Sequence, residues 1–186
     1  MAFLGLPKTT RSALALMVGV TASSASLAAE GRSERSFEAY VTGYSYWDNT
    51  PPGSTAISKP VVHASAGGSG TYEDPITIAV GHAIRGGRQF LDYPPGTRFY
   101  IASLRKYAIV EDVCGDGPTP QNGPCHSGHR GLPWLDIYVD GAQGGRSAAA
   151  DCASRITAVH LLIENPAPDY PVVAGAISET GCRRYQ

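Results

Sequence analysis

The chain has 186 residues, with 15 basic against 16 acidic side chains and a net charge of −1. That near-neutral balance gives no cationic field for holding nucleic acid or anionic lipid, so neither is expected as a partner. The length suits one domain with a substantial core, and nothing beyond the N-terminal segment is apolar for long enough to span a bilayer.

The N-terminus reads as an export signal over residues 1–28. Lys8 and Arg11 give a short positive region, Ser12 to Val20 an apolar one, and Ser26-Leu27-Ala28 a small-x-small cleavage site before Ala29. A secreted protein, extracellular or periplasmic, is therefore expected. Residues 29–36 read as a flexible polar leader, and 37–186 as a single domain.

Glycine (22) and proline (14) are spread throughout, and long 3.6-period apolar stripes are missing. Short β-rich runs between turn residues predict an all-β barrel or sandwich. In chain order the predicted strands are Phe37–Tyr44, Ile76–Val80, Arg98–Ile101, Tyr107–Asp112, Leu135–Val139, Ile156–Ile163 and Pro171–Val173. Ala148–Ser154 alone reads as a short helix. Asn49–Thr71 and Gly115–Pro133 read as long loops, of the kind that tends to carry function in a compact domain.

Two strands deliver carboxylates. Ile109–Gly117 carries Glu111, Asp112 and Asp116, while Trp134–Tyr138 places Asp136 between Leu135 and Ile137. A carboxylate on a half-buried strand must be hydrogen-bonded, paired, or protonated and ready to give up its proton. Strand alternation puts Asp136 on one face with Trp134 and Tyr138, an acid set between aromatic rings. The same alternation turns Asp112 inward with Val110 and Glu111 out to solvent. Asp116 has the surroundings of a turn residue.

Tyr44-Ser45-Tyr46-Trp47-Asp48 is a second aromatic–acid cluster. Tyr44, Tyr46 and Trp47 are candidates for stacking on sugar rings, and Asp48 is either a catalytic carboxylate or an Asx-turn former. His82, just after a strand, is a candidate partner for the carboxylates. His63, His82, His126, His129 and His160 have no metal-ligand spacing, so no metal and no cofactor are expected. The four cysteines, Cys114, Cys125, Cys152 and Cys182, read as two disulfides in an exported chain. Three pairings are open, and proximity favours Cys114–Cys125 with Cys152–Cys182.

The segment running from Pro95-Gly96-Thr97 through Arg98–Ile101, Ile109–Gly115 and Leu135-Asp136-Ile137-Tyr138 resembles the three-aspartate (3D) domain of lytic transglycosylase A and related cell-wall proteins. That resemblance implies a six-stranded double-psi β-barrel, shared with expansins and the small inverting endoglucanases. It matches Asp112 to the second aspartate and Asp136 to the third, the family's catalytic acid; where the first is expected this chain has Gly81-His82. Tyr46-Trp47-Asp48 separately resembles the Tyr-Trp-Asp motif of the small endoglucanases, in which the aspartate is the general base.

The resemblances imply action on cell-wall polysaccharide, either peptidoglycan or β-glucan, and a monomer is expected. Three activities follow as expectations. The first is lytic transglycosylase-like cleavage of β-1,4 bonds with Asp136 as general acid. The second is inverting endo-β-1,4-glucanase action with Asp48 as base, and the third is expansin-like binding without cleavage.

Overall fold

The computed structural model describes residues 1–2, 33–115 and 119–186. The export segment and Asp116 lie outside the described residues. The fold lies within Gly31–Gln186.

The described residues form eight strands: β1 (Arg35–Tyr44), β2 (Ile76–Val80), β3 (His82–Arg85), β4 (Arg88–Leu91), β5 (Arg98–Ile101), β6 (Lys106–Val113), β7 (Trp134–Tyr138) and β8 (Ala158–Glu164). Six of them close into a barrel in the order β1-β7-β2-β6-β5-β8, and β3 and β4 form a separate two-stranded hairpin. Closure leaves the barrel itself no unpaired edge for another chain to extend. Two neighbouring pairs, β1 with β7 and β2 with β6, are parallel, and the other four are antiparallel. Exchanging the first three barrel strands with the last three maps this ring onto itself, which is the double-psi connectivity.

The barrel is filled by the β-branched and aliphatic residues that alternate along its strands. Val41, Ile78, Val80, Val110, Leu135, Ile137 and Leu162 are all fully buried there. β2 and most of β6 are buried on both faces, because the long 45–75 loop and the C-terminal segment cover the outside of these strands. The described residues also hold a one-turn helix, α1 (Pro124–Ser127), and a longer one, α2 (Gly145–Ile156). α2 packs on β1 where Gly43 leaves room; a Cβ there would lie 3.1 Å from Ala153 and 2.8 Å from Val139 Cγ1.

The disulfides join Cys114 to Cys125 and Cys152 to Cys182. The first closes the loop after β6, and the second ties the C-terminal segment to α2. No helix among the described residues is long and apolar enough to cross a membrane.

Several boundaries differ from expectation. Arg35 and Ser36 belong to β1 rather than to a leader. Ile156 ends α2 rather than starting a strand. Pro171–Val173 is not a strand; its proline has no N–H to give, and its carbonyls instead take hydrogen bonds from the Tyr100 hydroxyl and the Lys106 ammonium. The β3–β4 hairpin was not foreseen, although its turn, Gly86-Gly87, has positive φ at both residues, as a two-residue hairpin turn requires.

Candidate functional site: a carboxylate cleft on the outer barrel wall

β2 and β6 run in register up to Ile78 opposite Val110, and then shift so that Ala79 stands opposite Asp112. Glu111 is the extra residue of this β-bulge. The bulge reverses the alternation assumed from sequence. Asp112 leaves the face of Val110 and joins the outer face of β2, beside Ala79. Glu111 lies on that face too, where Thr77 Oγ1 donates to it at 3.3 Å.

Ala79 stands opposite Asp136 of β7 on its other side, and Asp136 stands opposite Thr42 of β1. Thr42, Asp136, Ala79 and Asp112 thus form one row across four adjacent strands. Aligned residues on neighbouring strands point to the same face, about 4.8 Å apart per strand. The two aspartates are therefore separated by the width of one small side chain, and Ala79 is the floor between them.

A cleft of about 490 Å³ opens over this row, lined by Tyr44, Asp48, Ser58, His82, Asp112 and Asp136. The three carboxylates singled out from sequence, Asp48, Asp112 and Asp136, therefore meet in one cavity. Asp112 is the most deeply held. Its Oδ1 accepts the Ser58 and Val113 N–H groups at 3.1 and 2.9 Å, and its Oδ2 the Tyr44 hydroxyl at 3.2 Å. Burial pushes its carboxyl above the ordinary value despite these donors. Tyr44 is raised well above its ordinary value, first by burial and then by the charges of Asp112 and Asp136. It stays a neutral hydrogen-bond donor.

Asp136 Oδ1 accepts the Thr42 hydroxyl at 2.7 Å, and Thr42 Oγ1 in turn accepts Trp134 Nε1–H at 2.8 Å. An indole N–H only donates, so this chain has one direction: Trp134 to Thr42 to Asp136. Asp48 Oδ1 accepts both the N–H and the hydroxyl of Ser45, at 2.6 and 2.5 Å. Asp48 is therefore a turn former and a cleft residue at once.

His82 is 3% exposed and lines the cleft, and its Nδ1 meets no hydrogen-bond partner among the described residues. Burial holds its imidazole below the ordinary value, so it is neutral at neutral pH. The other histidines are occupied. His126 pairs with Asp92 at 2.8 Å, His129 stacks on Tyr40, and His160 bonds the Ser103 hydroxyl and the Ile156 carbonyl. No group of ligating side chains suited to a metal ion occurs among the described residues.

Most of the expected aromatic floor is elsewhere, because the alternation that groups these rings with the acids says nothing of what covers them. Tyr138 is buried edge-on against Tyr44. Trp134 packs against Tyr40 and His129 and lines a neighbouring cavity of about 430 Å³. Tyr46 packs edge-on against Trp47, whose Nε1–H is spent on the Gly141 carbonyl. Of the five rings, Tyr44 alone lines the cleft.

The largest correction concerns Glu111. It is fully buried, not solvent-facing. Its Oε1 accepts three consecutive backbone N–H groups, Val61, Val62 and His63, at 3.1, 2.6 and 2.8 Å, and its Oε2 contacts His63 Nδ1 at 2.6 Å. His63 Nε2 reaches Asp74 at 2.9 Å. This network straps the 45–75 loop onto the barrel, and Ala56, Ile57 and Ser58 of that strap form one wall of the cleft. No sequence pattern marks Thr42, Ser58 or His63 for these places; their roles follow from strand register and loop docking.

Fold and site together define a double-psi barrel with a carboxylate cleft on its outer wall. The chain belongs to the family described as the DDB_G0273701 N-terminal domain, whose profile matches residues 36–183. An uncharacterized protein of Dictyostelium discoideum is 39% identical over 83 residues, which is 45% of this chain and 33% of that protein. The match thus spans about a third of the relative's length. No solved structure gives a significant match.

Proposed function

We propose that this protein is a secreted enzyme that cleaves β-1,4 glycosidic bonds of a cell-wall polysaccharide, peptidoglycan in preference to β-glucan. The observation that carries this is the row Thr42–Asp136–Ala79–Asp112 at the foot of an open cleft. Cleaving a glycosidic bond requires an acid to protonate the leaving oxygen, and an inverting hydrolase needs a second carboxylate besides. Asp136 is assigned as the acid, held in orientation by Thr42. Asp112, buried under Tyr44, Ser58 and Val113, is the fixed neighbour with which Asp136 shares the electrostatics of the cleft.

In the transglycosylase form, Asp136 gives its proton to the glycosidic oxygen and the C1–O4 bond breaks. As carboxylate it then takes the proton of the muramic acid C6 hydroxyl, and that oxygen closes on C1 to form the 1,6-anhydro ring. No second base is needed. The inverting alternative draws on Asp48, which lines the same cleft and would activate a water on the opposite face of the sugar.

The test is turnover by wild type and Asp136→Asn on purified sacculi and on β-1,4-glucan, with products identified by mass. Anhydromuramyl ends that vanish in the variant support the first form. New reducing ends on glucan, lost in Asp48→Asn as well, would move the assignment to the hydrolase. Retention on either polymer without any product would make the protein a binder rather than an enzyme.

A further inference from the structure

The β3–β4 hairpin stands outside the barrel and forms one side of the cleft. Its cross-strand pairs are His82 with Leu91, Ala83 with Phe90, Ile84 with Gln89 and Arg85 with Arg88. Paired residues share a face and successive pairs alternate. His82, Ile84 and Gln89 line the cleft, so the opposite face of the same blade carries Phe90, Arg85 and Arg88. All three are exposed, and the Arg88 guanidinium lies 5.9 Å from the centre of the Phe90 ring.

Two features of the blade point to a ligand. Like charges directly opposite each other weaken a hairpin, yet Arg85 and Arg88 are paired next to the Gly86-Gly87 turn, and neither meets a carboxylate among the described residues. Phe90 is 48% exposed and Ile84 50% on so small a blade, so a sugar or peptide crossing its tip meets apolar surface on both sides. The cleft itself is acidic and suits a neutral sugar at the point of cleavage. The cationic tip beside it suits an anionic group a short distance along the strand.

We propose that Arg85 and Arg88 bind the carboxylates carried by the substituents of a cell-wall strand, making the hairpin the element that selects peptide-bearing polysaccharide over unsubstituted glycan. A guanidinium fork pairs with a carboxylate through two parallel hydrogen bonds, and Phe90 supplies the apolar contact beside it. This assignment rests on the cell-wall reading of the cleft but makes a separate claim about recognition.

The experiment measures sedimentation of the full chain with intact sacculi, with the same sacculi stripped of their stem peptides and amidated at the lactyl carboxylates that stripping exposes, and with neutral β-1,4-glucan. Wild type, Arg85→Gln/Arg88→Gln and Asp136→Asn are compared at low and raised salt. Wild type is expected to bind intact sacculi about tenfold more tightly than stripped strands, the scale of two surface charge contacts, and raised salt should erase the difference. The double arginine variant should lose the preference while unfolding at the wild-type temperature, and Asp136→Asn should keep it. Equal wild-type binding to intact and stripped strands, a preference that survives in the arginine variant, or no retention on either overturns the assignment. A preference found without turnover leaves the hairpin assignment standing and removes the catalytic one.

Discussion

Replacing Glu111 tests whether the strap that walls the cleft is held by a single buried carboxylate. The side chain is fully buried and takes three backbone N–H groups and the His63 imidazole. Hydrogen bonds to a charged group contribute about 1.5–3 kcal/mol each, but they are not additive once the strap can lift and re-solvate its own N–H groups. The better bound is the cost of breaking a buried ion pair, about 3–5 kcal/mol. Glu111→Ala should lose that much, a large share of the ~5–15 kcal/mol that holds a domain together. Glu111→Gln, which keeps the shape and loses the charge, should lose about 2 kcal/mol.

The pH dependence has a definite sign. Burial pushes Glu111 up, but the N–H and imidazole donors outweigh it and hold the carboxyl below its ordinary 4.5. Its contribution is therefore present above pH 4.5 and lost as pH falls through the folded value. Burial pulls His63 down, but hydrogen bonds to Glu111 and Asp74 outweigh it and hold the imidazole above its ordinary 6.5. That contribution is present below pH 6.5 and lost as pH rises through the folded value. The pair is strongest between these limits. Urea unfolding of wild type, Glu111→Ala, His63→Ala and the double variant at pH 5.5 and pH 8.5 measures this as a coupling energy. A Glu111→Ala loss under about 1 kcal/mol, or a coupling that does not weaken at pH 8.5, refutes the argument.

Two further predictions concern a buried ammonium and the hydrogen-bond chain to Asp136. Lys106 donates from Nζ to the carbonyls of Ser69, Val173 and Gly175, and burial lowers its ammonium to about 8. The unfolded chain holds that proton up to about 10.5, so between the two values the fold gains stability as pH rises; Lys106→Met should remove that slope from the unfolding free energy. The chain has two tryptophans, so ¹⁵N labelling gives two indole signals. The Trp134 signal should follow the titration of Asp136 through Thr42, and should stop following it in Thr42→Val and in Asp136→Asn. A Trp134 signal that titrates unchanged in Thr42→Val shows that the hydrogen-bond chain does not exist in solution.

Much of the barrel was legible because its signal is local. Ile76–Val80 and Arg98–Ile101 begin and end where predicted, since each is an apolar run between turn residues. Three sulfur pairings were open from sequence, and the one that forms is the one chain proximity favours. Pro171–Val173 misled because β-propensity was counted while the missing proline N–H was not. The β3–β4 hairpin escaped because the arginines, glycines and glutamine of Arg85–Gln89 do not read as strand, although Gly86-Gly87 is a strong turn signal.

The site was legible in its residues and not in its geometry, and one inserted residue accounts for the difference. Strict alternation along β6 makes Glu111 and Asp112 opposites, one outward and one inward. The bulge after Val110 places both on the outer wall, where Asp112 aligns with Ala79 and Asp136, and Glu111 is left over to hold the strap. A bulge is a relation between two strands, and neither strand's sequence contains it. Without it Asp112 would point into the barrel among Val110 and Ile78, with no backbone N–H to meet it. Asp136 would lose the carboxylate aligned with it in the row and keep only Asp48 as an acidic neighbour in the cleft, and the 45–75 loop would lose its anchor. The local irregularity that defeats the sequence pattern is therefore the feature on which both the cleft and its wall depend.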